Sequence, residues 1–126
     1  GRVESTILSS FDDSVVAHII ETAPDVESSP GPGPLVDFFF NGTPLPGGQR
    51  ILQLPPVYGE LEVLTATNIA AAHAAGYVIW VWPNDRELEN EAAYQRFLAD
   101  GLDGLNINFP AAGVAAVAAR PLPSTR

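Results

Sequence analysis

Ser10, Phe11, Trp82 and Asn108 are the residues of this chain best placed to hold a small ligand, because each stands at the end of a run that reads as a β-strand. Ser10 and Phe11 close "TILSSF", Gln53 and Pro55 stand in "LQLPP", Trp82 and Asn84 follow "YVIWV", and Asn106 and Asn108 fall in "LNINFP". Ligands of parallel β/α folds bind at the carboxyl ends of the strands, so these side chains would share one rim. An indole offers an apolar face for packing, and its N–H offers one directed hydrogen bond. Taken one at a time, the structural use is the stronger reading: Phe11 and Trp82 as packing, the asparagines as strand terminators bonded to backbone.

Residues for proton transfer or metal binding are scarcer. The only histidines, His18 and His73, each fall inside a predicted helix and so on the outer layer of such a fold, away from the rim. Asp85, Glu87, Glu89 and Glu91 form an acidic run, but alternate spacing across a loop and a helix start scatters carboxylates, and solvation near a helix dipole accounts for them. The chain has no cysteine, which removes disulfides, thiolate metal sites and a thiol nucleophile. Neither a catalytic residue nor a metal ligand is therefore expected here.

The elements that must position the rim alternate in type. After the strand at 6–10, "FDDSVVAHIIETAPD" switches to helical spacing, with Asp12 as N-cap, Asp13 at the positive helix end and Pro24 as stop. A further strand is possible near Val26, and "LVDFFFNG" reads either as a short helix ended by Gly42 or as an apolar strand. "RILQLPP" reads as a buried strand, Thr65 caps a helix through "ATNIAAAHAA" with Gly76 beyond it, and "YVIWVW" has the unbroken apolar character of a strand covered on both faces. "NEAAYQRFLAD" is helical with Gly101 as its stop, "GLNIN" is a final strand, "AAGVAAVAA" a closing helix, and 120–126 a frayed tail. Such alternation with short loops predicts a single α/β domain over residues 1–126, built of parallel β/α units.

Composition sets outer bounds. A 46% hydrophobic content over 126 residues supports a packed core, and 15 acidic against 6 basic residues give a net charge of −9 that opposes phosphate backbones and anionic surfaces. No nucleic-acid partner is expected, and no run approaches the roughly 20 apolar residues that span a bilayer. The abrupt opening "GRVESTILSSF", without an initiator Met, suggests trimming upstream.

In order and spacing, "LSSFDD…ETAPDV…LQLPP…LTATNIAAAHAAGYVIWVWPND…LADGLDGLNINFP" resembles the carboxyl-terminal part of the glycerophosphodiester phosphodiesterase family over residues 6 to about 118. The matching parts are Ser10-Phe11-Asp12, the Ala-His-Ala-Ala-Gly at 72–76, Val81-Trp82 followed by Asn84, and Asp103-Gly104 leading to Pro110. The resemblance implies about strands four to eight of a TIM barrel. It also implies a metal-dependent hydrolase of glycerophosphodiesters, with Ca or Mg as the divalent cofactor. The family's His-Arg-Gly, Pro-Glu-Asn-Thr, Glu-x-Asp and Glu-x-Lys motifs, which supply its acid–base histidines and metal carboxylates, are absent from this chain. The implied partner is therefore the amino-terminal half of the same barrel, as the same or a nicked chain, and the implied location is extracellular or secreted. Trp82 would pack against the glycerol or substrate moiety, with Ser10, Phe11 and Asn108 shaping the pocket. Two departures stand out: Trp82 is followed by Pro83 where the family has Thr, and Ile107-Asn108-Phe109-Pro110 replaces a Thr-Asp.

Two other readings compete. A degenerate barrel fragment kept for binding or assembly would explain the lost polar residues near Ile107. An unrelated open-sheet binding domain lacks a phosphate loop, because "SPGPGPL" has neither G-x-G-x-x-G nor a following Lys-Ser/Thr.

Overall fold

A computed structural model describes residues 1–120, so most of the tail expected over 120–126 lies outside the described residues. A 3-10 turn, Val3–Ser5, leads into β1 (Ile7–Leu8), α1 (Asp13–Thr22), β2 (Glu27–Ser28), α2 (Pro32–Asn41) and β3 (Ile51–Leu54). Then follow β4 (Val57–Tyr58), β5 (Leu61–Glu62), α3 (Ala66–Ala74), β6 (Val78–Val81), a 3-10 turn Arg86–Leu88, α4 (Glu91–Ala99), β7 (Gly104–Leu105) and α5 (Pro110–Ala118). The chain is α/β with small parallel sheets. Among the described residues no helix is long and apolar enough to cross a membrane.

The chain divides into two compact units, the first comprising Gly1–Gln53 with Ala71–Val78, the second Leu54–Ala70 with the residues from Ile79 onward. In the first, β1 and β2 pair in parallel, Ile7 opposite Glu27 and Leu8 opposite Ser28, across the α1 crossover. Ser29 N–H continues the ladder onto the Leu8 carbonyl at 2.9 Å, and its hydroxyl donates to the Ile51 carbonyl at 2.6 Å. Beside it the buried Gln49 donates to the Ser28 hydroxyl at 3.1 Å, and Arg50 pairs with Glu27 at 2.6 Å.

The α2 segment is a helix, and three features decide it. Pro32 occupies the first turn, where its missing N–H costs nothing. The Asp13 carboxylate accepts from the Gly33 N–H at 3.1 Å, placing a negative charge at the positive end of α2. Gly42, at φ 66°, takes the left-handed position that ends the helix.

Asp12 caps α1 as its sequence position predicts, accepting from the Ser14 hydroxyl at 2.6 Å and the Ser14 N–H at 2.9 Å. Those two bonds hold its carboxyl below the ordinary value of 3.8. A depressed native pKa contributes stability above the unfolded value and loses it as pH falls through the native one. Asp12→Ala is accordingly expected to lower the melting temperature at neutral pH. Its deficit against the wild type should shrink as the pH is taken below 3.8, measured by circular dichroism at stepped pH.

Strand order in the largest sheet is β3-β6-β7. Within the first unit Val78 N–H bonds the Arg50 carbonyl at 2.9 Å; within the second, Trp82 N–H bonds the Leu54 carbonyl at 3.0 Å. β6 pairs in parallel with β7, Trp80 opposite Gly104 and Val81 opposite Leu105. The apolar run "YVIWVW" leads one to expect a strand covered on both faces, and here the structure differs. Ile79 and Val81 are fully buried, whereas Val78 is 36% exposed and Trp80 half-buried, so burial alternates with the pleat. In the second unit α4 lays Ala93, Tyr94, Phe97 and Leu98 into the core at helical spacing and packs on α5. The Asn90 side chain caps α4, accepting from Ala93 N–H at 3.0 Å.

Candidate functional site

The carboxyl ends of the strands in the second unit form the site's floor. β6 is the middle strand, so Trp82, just beyond its end, has residues 54–58 on one side and 106–108 on the other. On the first side its backbone N–H bonds the Leu54 carbonyl, and two residues on, the Asn84 side chain donates to the Val57 carbonyl at 2.7 Å. On the second side Asn106 N–H bonds the Val81 carbonyl at 2.8 Å. Trp82 itself is half-buried.

Directly after β3, Pro55 and Pro56 end the strand, and β4 and β5 form a hairpin that the sequence reading did not contain. Val57 faces Glu62 and Tyr58 faces Leu61 across an antiparallel pair closed by Gly59 and Glu60. Gly59 has φ 62° and Glu60 no positive φ, the arrangement of a II′ turn, which needs glycine at its first central position. The Pro56 carbonyl accepts from Val63 N–H at 2.9 Å and closes the hairpin's base.

Asn108 is exposed, and its side chain is committed to a brace. Its Nδ2 donates to Glu89 at 2.7 Å and its backbone N–H to the other Glu89 oxygen at 3.3 Å. The hydroxyl of Tyr94, whose ring is fully buried, makes a short hydrogen bond to that same carboxylate. Burial, then the Glu89 carboxylate, pushes the Tyr94 phenol up to about 12. Glu89 thus gathers three donors from α4 and from the chain beyond β7. It belongs to the acidic run that reads as solvated charge, and its partner lies 19 residues away, a separation that no local pattern marks. The neighbouring acids have local uses: Asp85 accepts from Glu87 N–H at 2.9 Å and Glu91 from the Gln95 amide at 2.9 Å.

The other two expected site residues lie in the first unit, between β1 and α1. Ser10 is half-buried with its hydroxyl accepting from Asp12 N–H at 3.1 Å, and Phe11 is 70% exposed. The structure thus sets Trp82 and Asn108 at the ends of neighbouring strands of one unit and Ser10 with Phe11 at a strand end of the other. His18 and His73 lie exposed on α1 and α3. Among the described residues no three His, Cys, Asp or Glu side chains group closely enough to hold a metal ion.

A concave feature runs beside β7. Leu98, Leu105, Ile107, Val114 and Val117 line an open, mainly apolar groove of about 650 Å³. Among the described residues β7 pairs only with β6, and Val114 and Val117 on α5 stand 70% and 55% exposed. Compared with known proteins, the chain matches no family model and no curated sequence.

Proposed function

We propose that this chain is the carboxyl-terminal part of a metal-dependent phosphoric diester hydrolase resembling the glycerophosphodiester phosphodiesterases. An amino-terminal polypeptide would complete its barrel. β1, β2, β3, β6 and β7 then serve as strands four to eight, and the β4–β5 hairpin is an insertion after the sixth. The observation that carries this reading is the groove along the unpaired edge of β7. Among the described residues β7 pairs with no strand but β6, and an edge strand flanked by exposed valines is a liability unless another strand covers it. In a closed barrel that strand is the first.

The expected Ca or Mg ion and the proton-transfer groups fall to the completing polypeptide, because the family's His-Arg-Gly, Pro-Glu-Asn-Thr, Glu-x-Asp and Glu-x-Lys motifs do not occur in this chain. What this chain contributes is a binding wall. The Trp82 indole offers its face to the glycerol C–H surface, and the Glu89–Asn108 brace holds the segment beyond β7 in place. A glycerophosphodiester is the substrate, and an extracellular location follows from the resemblance to that family.

The test is to co-express the chain with an amino-terminal half bearing the family's His-Arg-Gly and Glu-x-Asp motifs, and to assay glycerol phosphate release. Activity should appear only in the complex, vanish with chelator and return with Ca or Mg. A Val114→Asp/Val117→Asp variant should fail to form the complex. A stable homodimer that ignores the added half and hydrolyses nothing would favour the non-catalytic assembly module instead.

A further inference from the structure

We infer that Asn41 is an acceptor for N-linked carbohydrate, transferred from a lipid-linked oligosaccharide diphosphate. Asn41-Gly42-Thr43 is an Asn followed two residues later by Thr, with no Pro between them, the pattern of an N-glycosylation acceptor. The chain holds no other: Asn68, Asn84, Asn90, Asn106 and Asn108 have Ala, Arg, Ala, Asn and Pro at that second position. So short a pattern also arises by chance, and three features of the fold separate this one from a chance match. The first is access. α2 ends at Asn41, and Phe40, Asn41, Gly42, Thr43 and Pro44 are all exposed. A Cβ added at Gly42 would meet nothing within 4 Å, so the residue between acceptor and hydroxyl borders open space, where a bulky sugar can stand.

The second is the turn. Gly42, at φ 66°, leads the chain off α2 directly after Asn41, and Thr43 N–H bonds the Asp37 carbonyl at 3.1 Å. The three residues therefore straddle a helix end, which frays and can enter a transferase without opening the core. The third is the bonding of the acceptor amide. Asn41 Nδ2 donates to the Asp37 carboxylate at 2.8 Å. A primary amide has two N–H donors, and glycosylation consumes one, so the other can keep the Asp37 bond in the modified chain. In the transfer, Nδ2 displaces the diphosphate at the anomeric carbon. The C–O bond to phosphate breaks, a C–N bond forms, the amide proton passes to a base of the transferase, and the lipid diphosphate departs. Pro44 restricts Thr43 to extended backbone and narrows the approach of its hydroxyl, so Pro44→Ala should raise the occupied fraction. The inference shares with the proposed extracellular location only passage through a secretory compartment; it needs neither the barrel nor the phosphodiester.

The experiment directs the full 126-residue chain into the secretory pathway of eukaryotic cells behind a cleavable signal, beside a control glycoprotein, and reads intact mass and the peptide containing Asn41 from cells and medium together. The wild type should carry one glycan. Peptide-N-glycosidase should release it and, in heavy-oxygen water, leave a labelled aspartate at that position. Asn41→Gln and Thr43→Ala should each lose the glycan with an unchanged circular dichroism spectrum, and Thr43→Ser should retain it in part. Thr43→Ala keeps Asn41 itself, so the loss there reports recognition of the hydroxyl and not removal of the acceptor. A wild type that stays unmodified beside a modified control overturns the inference, and so does a glycan that survives Thr43→Ala. Modification of the Pro44→Ala chain alone overturns it too, because Pro44 would then close the natural site. Unlabelled aspartate in place of a glycan would be spontaneous deamidation of Asn41-Gly42 and counts equally against it. A glycosylated chain that neither captures the amino-terminal half nor supports hydrolysis leaves the inference standing while the phosphodiesterase reading falls.

Discussion

Tyr94→Ala is expected to lower the unfolding free energy by about 3–5 kcal/mol, a large part of what a domain of this size possesses. The ring is fully buried on the core face of α4, so truncation empties a ring-sized volume in the core. It also removes one of the donors that Glu89 gathers. Tyr94→Phe separates the two effects: it keeps the ring and deletes the hydroxyl, and should cost about 1–3 kcal/mol for leaving the carboxylate short of a donor. Glu89→Gln attacks from the other side. The carboxamide retains one acceptor, but its NH₂ must face an Asn108 N–H donor on either side, and beside Tyr94 it also forces the hydroxyl to accept instead of donate. Urea denaturation of the single variants and the double variant should give a total smaller than the sum of the singles, because both break one network. A Tyr94→Phe variant as stable as the wild type would remove the network from the account.

The same pair sets an alkaline limit. The native Tyr94 phenol titrates at about 12 against 10.0 when free, so its proton is held more tightly in the folded chain. That contribution is complete below pH 10 and is lost as the pH rises through 12, where ionised Tyr94 would face the Glu89 carboxylate. Spectrophotometric titration should show a tyrosine ionising at about 12, and Tyr94→Phe should abolish that step.

How far the sequence foretold this structure depends on the range of the interaction. The Asp12 cap, the Thr65 cap and the stops at Gly42, Gly76 and Gly101 are local signals, and all occur where the residue types place them. The ambiguity over "LVDFFFNG" had a long-range solution: Asp13, twenty residues upstream, supplies the charge at the start of α2. The hairpin escaped notice because each of its strands is two residues long, too short for any period to appear, although Gly59 marked the turn. β7 is likewise only two residues, because Asn106 N–H makes the last bond to Val81 and Pro110 already begins α5. Of the rim, Trp82 and its strand-end position were legible; the commitment of Asn108 to Glu89 was not, since an exposed asparagine and an acidic run each look solvated when read alone.

Gly104→Ala should destabilise the second unit by about 1–3 kcal/mol, although alanine normally favours a strand over glycine. Gly104 is the cross-strand partner of Trp80, and a methyl group added there would meet the indole, at 2.6 Å from Nε1 and 2.9 Å from Cγ. The clash is with a large ring, not with the end of a flexible chain, so either Trp80 leaves its rotamer or β7 moves away from β6. Shortening Trp80 should relieve it: in a Trp80→Leu background, Gly104→Ala is expected to be near neutral, and thermal melts of the four proteins would measure that coupling directly. Equal costs in both backgrounds would mean that contact with the indole is not why glycine stands there. A β7 displaced by alanine would carry Leu105 and Ile107 with it and reshape the groove on its open edge. Gly104→Ala should therefore also weaken capture of the proposed amino-terminal half, and Trp80→Leu should restore it. A purely local loss of stability has no reason to produce that recovery.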